Sequence, residues 1–145
     1  MAEVSGGRVR LAAVRATPLS VDEVLDAVRD PAAGGTVVFI GSVRAVDDGR
    51  SVTRLGYTAH PGAEATLRTV AESVAQRFPA VALAAVHRVG DLAVGDLAVV
   101  VAVACPHRGE AFAAARALID ELKTTVPIWK EQVFGDGTTE WVGTP

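Results

Sequence analysis

Four cationic or imidazole side chains gather around one apolar helical pattern in the last third of the sequence. His107 and Arg108 stand at the start of this pattern, Lys123 stands near its end, and Lys130 follows shortly after a proline. Arginine can grip an oxyanion through two parallel hydrogen bonds, and lysine adds a compact positive charge. The stretch therefore predicts a site that holds an anionic ligand.

Lys123 borders the apolar stripe of the helical pattern. Partial desolvation there, together with a second ammonium from Lys130, would lower the pKa of Lys123 toward the range that acid–base or nucleophilic chemistry needs. Simpler explanations compete with this one. A lysine at the C-terminal end of a helix commonly complements the helix dipole, His107 fits a capping role, and Arg44 fits a solvated charge at the end of a strand. Spacing alone leaves both explanations open.

Other kinds of site find little support in the sequence. One cysteine and three histidines are scattered, without the close pairs that metal sites use. Gly34-Gly35 precedes a strand pattern, whereas a nucleotide-binding loop would follow one. Gly41-Ser42-Val43 lacks the second glycine of a nucleophile elbow. The sequence thus predicts no metal site.

Length and composition indicate the broad class of protein. A chain of 145 residues suits one domain, so 1–145 is predicted as a single domain with a frayed start at 1–7. The net charge of −3 argues against general nucleic-acid binding. No apolar run reaches the ~18 residues that a membrane-spanning helix needs. A single cysteine and the lack of a secretory pattern lead us to expect a cytoplasmic protein.

The elements that must position the cationic residues form an α+β pattern with three helices. Ser20 and Glu23 fit a capping box for the first helix, and prolines end the first two helices. The nearly continuous apolar run at 36–44 predicts a strand buried on both faces. In chain order the predicted elements are a strand at 8–15, a helix from Ser20 to about 30, strands at 36–44 and 51–59 around an Asp48-Gly49 turn, a helix at 61–78, antiparallel strands at 81–89 and 97–104, a helix at about 107–125, and a last strand around 140–142.

Five segments and a final tryptophan carry a family resemblance. They are Phe39-Ile-Gly-Ser-Val-Arg44, Val86-His-Arg-Val-Gly90, Pro106-His-Arg-Gly-Glu-Ala-Phe112, Ile119-Asp-Glu-Leu-Lys123, Pro127-Ile-Trp-Lys130 and Trp141. In this order and at this separation they closely resemble the large, catalytic subunit of molybdopterin synthase, from about Gly35 to Val142.

The resemblance implies an α/β-hammerhead-like α+β fold, with antiparallel sheets packed against three helices. It also implies a homodimer of large subunits that carries a small ubiquitin-like sulfur-carrier subunit at each end. The C-terminal Gly-Gly of the carrier, as a thiocarboxylate, would deliver sulfur to cyclic pyranopterin monophosphate. Two such transfers give the dithiolene of molybdopterin in molybdenum cofactor biosynthesis. The implied sulfurtransferase needs neither a metal nor a cofactor.

Carried over by position, Lys123 resembles the catalytic lysine, as an acid–base group or an attacking amine, and Lys130 resembles its partner in catalysis and phosphate binding. His107 and Arg108 resemble the pair that lines the pterin and phosphate pocket. Arg44 resembles a strand-end residue that reaches the pocket, from either protomer. The other substrate-binding positions implied are Ser42, Val43, Glu131 and Gln132, although the family commonly has a basic residue and then Glu at the last two.

Two readings from other classes stand beside the enzyme. One is a non-catalytic anion-binding subunit of the same fold that docks a partner protein. The other is a regulatory domain that binds small phosphate compounds without a carrier. The joint presence of Lys123 and Lys130 favours the enzyme, because a docking surface does not need two ammonium groups in one pocket.

Overall fold

The computed structural model describes residues 7–142, which form two β-sheets and three helices. The frayed start expected for residues 1–7 lies outside this range, apart from Gly7. The elements are β1 (Val9–Arg15), α1 (Val21–Ala27), β2 (Gly35–Ser42), β3 (Val46–Asp47), β4 (Arg50–Ala59), α2 (Ala63–Arg77), β5 (Ala82–Arg88), β6 (Gly90–Ala93), β7 (Leu97–Cys105), α3 (Arg108–Thr125), β8 (Ile128–Phe134) and β9 (Thr139–Val142).

The first sheet has the strand order β1-β5-β7-β2 and carries helices on both faces. Helices α2 and α3 cover one face, where Leu67, Leu83 and Leu118 are fully buried. Helix α1 covers the other face through Val24, together with Val28 just after the helix. The predicted α+β class with three helices is confirmed, and the sheet is mixed because β1 runs parallel to β5.

The second sheet has the order β3-β4-β8-β9, and β6 also pairs with β4. The predicted turn between β3 and β4 is confirmed, because Asp48 and Gly49 both have positive φ. The pairing of β4 shifts register between Val52 and Arg54, which lets Val52 and Leu55 both be buried. Strand β6 was not predicted; it is only four residues long and begins at a glycine with positive φ.

The helix signals in the sequence are confirmed, except that α1 ends at Ala27 and not at the predicted stop near residue 30. The Ser20 hydroxyl accepts a hydrogen bond from the backbone N–H of Glu23 at 3.1 Å and caps α1. Helix α2 ends at Arg77, where Phe78 becomes extended before Pro79. Helix α3 buries the stripe predicted for it, formed by Ala111, Ala115, Leu118, Ile119 and Leu122.

The prediction that the strand at 36–44 is buried on both faces is wrong for the described chain. Strand β2 lies at the edge of the first sheet and pairs on one side only, with β7. Val38, Phe39 and Ile40 are 36%, 39% and 42% exposed. An apolar run typical of a covered strand is therefore left open, with one unpaired backbone edge.

Candidate active site

A pocket of about 150 Å³ lies where the two sheets meet at the C-terminal end of α3. Ends of β2, β5 and β7 form one wall, and β4 and β8 form another. The small apolar cluster of Val43, Leu55, Leu92 and Ala98 supports these walls from inside. The pocket thus has a packed floor and open polar sides.

The structure brings Lys123 and Lys130 to this pocket, and they are the only two lysines in the sequence. Lys123 extends from the last turn of α3 and is exposed, whereas Lys130 lies on β8 and is half-buried. Burial and, second, the charge of Lys123 lower the pKa of Lys130 below its ordinary value. The desolvation expected at Lys123 is therefore found at Lys130.

The β4–β8 ladder decides which side chains of β8 face the pocket. Lys130 is paired with Tyr57 and Gln132 is paired with Leu55, so all four side chains share one face. All four line the pocket. Glu131 is paired with Gly56 on the alternate face and is not among the lining residues.

Arg44 reaches the rim of the pocket and is held there by Asp47. The Arg44 guanidinium lies 3.1 Å from one carboxylate oxygen of Asp47, and the Gln132 amide donates to the other oxygen at 2.9 Å. Gln132 is buried, so this chain of contacts fixes an exposed arginine to the second sheet. The guanidinium of Arg44 is thereby tied to one side of the pocket.

Ser42 and Val43 also line the pocket, at the end of β2. The backbone of Val43 is fixed on both sides, because its N–H donates to the carbonyl of Asp96 and its carbonyl accepts from the N–H of Gly95. The segment that leads to Arg44 is therefore rigid.

The structure does not bring His107 and Arg108 to this pocket within one chain. They lie exposed at the opposite end of α3 from Lys123. Fifteen residues of helix separate Arg108 from Lys123, which is about 22 Å at 1.5 Å per residue. A Cβ atom added to Gly35 would lie 3.1 Å from the Cα of Arg108. The start of α3 is thus packed against the start of β2.

Three polar side chains of the pocket were missed from the sequence: Asp47, Tyr57 and His87. His87 is 7% exposed, and its ring meets the Tyr57 ring edge-on at 4.9 Å. Burial, and in smaller part the charge of Lys123, lowers the pKa of His87 to about 4. The sequence signal for His87 was its position in the Val86–Gly90 segment, which carries the family resemblance. His87 also follows the buried Ala85 of β5 by two residues, so it lies on the same face of the strand.

The arrangement favours an anionic ligand over a metal ion. Arg44, Lys123 and Lys130 surround the same space. Within residues 7–142, no three His, Cys, Asp or Glu side chains are grouped to hold a metal.

Comparison with known proteins gives the family. The family model described as "MoaE protein" matches residues 14–125. The chain belongs to the MoaE family. The matched range contains Arg44, His107, Arg108 and Lys123, and Lys130 follows five residues beyond it. No helix of this MoaE chain, within the described part, is long and apolar enough to cross a membrane.

Two curated proteins similar to this MoaE chain are named as catalytic subunits of molybdopterin synthase. "Molybdopterin synthase catalytic subunit 1" of Mycobacterium tuberculosis is 48% identical over 127 residues, covering 87% of this chain and 86% of the relative. "Molybdopterin synthase catalytic subunit" of a Nostoc species is 42% identical over 132 residues, covering 90% and 80%.

Solved structures agree in fold. Molybdopterin synthase from Staphylococcus aureus matches with a TM-score of 0.84 and 32% identity, covering 90% of this chain and 96% of the other. A complex of subunits 1 and 2 of molybdopterin-converting factor from Helicobacter pylori matches with a TM-score of 0.67 and 21% identity, covering 92% and 90%, and supports the fold.

Proposed function

We propose that this MoaE chain is the catalytic subunit of a molybdopterin synthase. It transfers sulfur from the thiocarboxylated C-terminus of a small carrier subunit to cyclic pyranopterin monophosphate and so makes the molybdopterin dithiolene. The observation that carries the proposal is the convergence of the only two lysines of the chain on one pocket beside Arg44. The relatives named as catalytic subunits support the same assignment.

The roles follow from burial and charge. A phosphate and a C-terminal tail are both anions, and fixed cations stabilise the negative charge that develops as bonds to them break. Lys123 is exposed at the mouth, where an incoming tail meets it first. Lys130 is deeper and has the lowered pKa, which suits an amine that exchanges a proton with the substrate. Arg44 binds the phosphate group.

A homodimer is part of the proposal, and β2 is the surface that supports it. An edge strand with an exposed apolar run pairs readily with another strand. Val38, Phe39 and Ile40 supply that run on β2. A second copy of the chain is the natural occupant, because pairing of two identical strands about a twofold axis satisfies both edges at once.

Such a dimer would also complete the pocket. In an antiparallel pairing of two β2 strands, the Gly35 end of one copy meets the Ser42 end of the other. The Gly35 end carries Arg108, and the Ser42 end borders the pocket. His107 and Arg108 of a second copy would therefore approach Lys123 and Lys130. The cavity of about 150 Å³ in one chain is smaller than the roughly 300 Å³ from which small-molecule sites usually start, as expected of half a site.

The carrier subunit is the second partner in the proposal. The Helicobacter pylori structure is a complex of two subunits, and this chain shares its fold. We place the complex in the cytoplasm, because Cys105 is a buried free thiol that fits a reducing compartment.

Turnover with a defined carrier tests the function. Purified protein is mixed with thiocarboxylated carrier and cyclic pyranopterin monophosphate, and the dithiolene product is measured. We expect product that depends on both additions. Binding of the carrier without product would favour the docking subunit, and binding of simple nucleotides without a carrier would favour the regulatory domain.

A further inference from the structure

A carboxylate lies among the cations of the pocket. Asp47 lines it together with Arg44, Lys123 and Lys130. A negative charge beside a phosphate or a C-terminal tail repels either ligand, so electrostatics alone would favour a neutral residue here. The presence of Asp47 therefore indicates a role other than direct contact with the anion.

The side chain of Asp47 ties together two strands that are not neighbours in the sheet. Its strand, β3, is two residues long and lies at the edge of the second sheet, beside β4. The Asp47 carboxylate nevertheless accepts a hydrogen bond at 2.9 Å from the amide of Gln132 on β8, the strand beyond β4. Gln132 is 3% exposed, so water competes little for its amide. This hydrogen bond holds a short edge strand in place.

The orientation of the Gln132 amide is set by two carboxylates. Its nitrogen lies 2.9 Å from Oδ2 of Asp47 and 3.5 Å from Oε1 of Glu140. An ionised carboxylate only accepts hydrogen bonds, so the NH₂ end of the amide has to face both groups. Glu140 is also paired with Gln132 across the β8–β9 ladder. The amide is thereby kept as a donor to Asp47.

The second oxygen of Asp47 holds Arg44. Oδ1 accepts a hydrogen bond from the Arg44 guanidinium at 3.1 Å, and no other described residue accepts one from this side chain. The Arg44 side chain is 75% exposed. A long exposed side chain has many rotamers, and fixing it in one of them costs entropy. The order of Arg44 therefore depends on Asp47.

We propose that Asp47 is a positioning residue for Arg44. The Gln132 amide fixes one oxygen of the Asp47 carboxylate, and the other oxygen holds the guanidinium where it meets the phosphate. The entropy of ordering Arg44 is then lost before the ligand arrives, which favours binding. The gain in affinity rests on the proposed function, whereas the ordering of Arg44 does not.

The order of Arg44 can be measured without a ligand, by ¹⁵N relaxation of the arginine Nε–H groups. The Arg44 signal is assigned by its loss in Arg44→Met. Asp47→Asn has one acceptor oxygen in place of two and no charge, and Gln132→Met removes the donor that fixes the carboxylate. We expect both variants to lower the order parameter of Arg44. An Arg44 order parameter that is unchanged in Asp47→Asn would overturn the proposal.

Asp48→Asn is the matched control. Asp48 is an exposed carboxylate next to Asp47 and is not among the residues that line the pocket. Its backbone has a positive φ of 52°, which asparagine tolerates well. We expect this variant to keep the wild-type order of Arg44.

Binding of the cyclic pterin separates positioning from plain electrostatics by the sign of the effect. Calorimetry without the carrier gives the Kd of cyclic pyranopterin monophosphate, because no sulfur can be transferred. Loss of a negative charge should by itself tighten binding of an anion. We expect Asp47→Asn to weaken binding instead, by about threefold to fivefold, the scale of an exposed ion pair. Tighter binding by Asp47→Asn would contradict the proposal.

A double variant shows whether Asp47 acts through Arg44. In an Arg44→Met background only the repulsion of the ligand by Asp47 remains, so adding Asp47→Asn should leave binding equal or make it tighter. The same weakening in both backgrounds would mean that Asp47 supports the pocket independently of Arg44, and the proposal would be wrong. Wild-type protein that does not bind the cyclic pterin would refute the proposed function, and the relaxation of Arg44 would still decide whether Asp47 positions it.

Discussion

Lys130 on β8 lies directly opposite Tyr57 on β4, and this pairing turns both side chains onto the pocket face. Lys123 reaches the same space from the end of α3. The end of α3 and the strand that follows it, held in register by β4, thus bring two ammonium groups together. Their mutual repulsion adds to the burial that already disfavours the charged form of Lys130.

Removal of the Lys123 charge should raise the pKa of Lys130. We expect Lys130 to titrate below an ordinary lysine in wild type and closer to it in Lys123→Met. Selective ¹⁵N-lysine labelling measures this directly, because the sequence contains no other lysine. Arg116→Met, which removes an 86% exposed cation from the same helix, is the matched control and should leave the Lys130 titration in place. Identical Lys130 titrations in wild type and Lys123→Met would contradict the account.

The burial of His87 predicts an acid-sensitive step in stability. Its pKa is about 4 in the folded chain against an ordinary value of 6.5, so below pH 6.5 the unfolded chain takes up a proton that the folded chain refuses. Stability is therefore lost as pH falls from 6.5 to 4, by roughly 3 kcal/mol from this group. Denaturant unfolding across this range should show a shallower loss in His87→Gln.

His60→Gln is the control for the acid experiment, because it removes an exposed imidazole outside the pocket. It should keep the wild-type dependence on pH. A His87→Gln profile parallel to that of wild type would show that His87 is protonated equally in both states.

The open β2 edge predicts a dimer that one charge can break. Ile40→Glu places a carboxylate in the exposed apolar run, and we expect sedimentation to show monomers at micromolar protein concentration. Val94→Glu is the matched control, because Val94 and Ile40 are both 42% exposed and Val94 lies outside β2. A monomeric wild type, or equal effects of both substitutions, would rule out this interface.

Complementation tests whether the pocket is shared between copies. Arg108→Ala and Lys123→Ala should each be inactive alone. After the two are mixed and allowed to exchange, a mixed dimer has one pocket with both defects and one with neither. Since half of the dimers are mixed, about one quarter of wild-type activity should return. No recovery, with mixed dimers demonstrated, would mean that each pocket draws on one chain.

Local signals were readable from the sequence because their causes are local. The Ser20 cap, the apolar stripe of α3 and the Asp48-Gly49 turn each depend on residues within a few positions of one another. The exposure of β2 was not readable, because an apolar strand has the same sequence pattern whether its cover is its own chain or a second copy.

The same difference between local and long-range causes decides which residues of the candidate site could be predicted. The resemblance picked out Lys123, Lys130 and Arg44, but the face of each β8 residue depends on its register with β4, so Glu131 and Gln132 could not be separated beforehand. The distance from Arg108 to Lys123 follows from helix rise alone. Whether Arg108 can act in the same site as Lys123 depends on how copies of the chain assemble, and the sequence of one chain does not describe that.

Sulfur transfer by wild type and Lys123→Ala, measured side by side with thiocarboxylated carrier, tests the central claim most directly. We expect dithiolene product from wild type and a loss of at least a hundredfold in the variant, the usual scale for removing a group that stabilises developing charge or moves a proton. The variant should keep its thermal unfolding midpoint and its binding of the carrier, because Lys123 is exposed. Normal turnover by a folded Lys123→Ala would contradict the assignment of this pocket as the reacting centre.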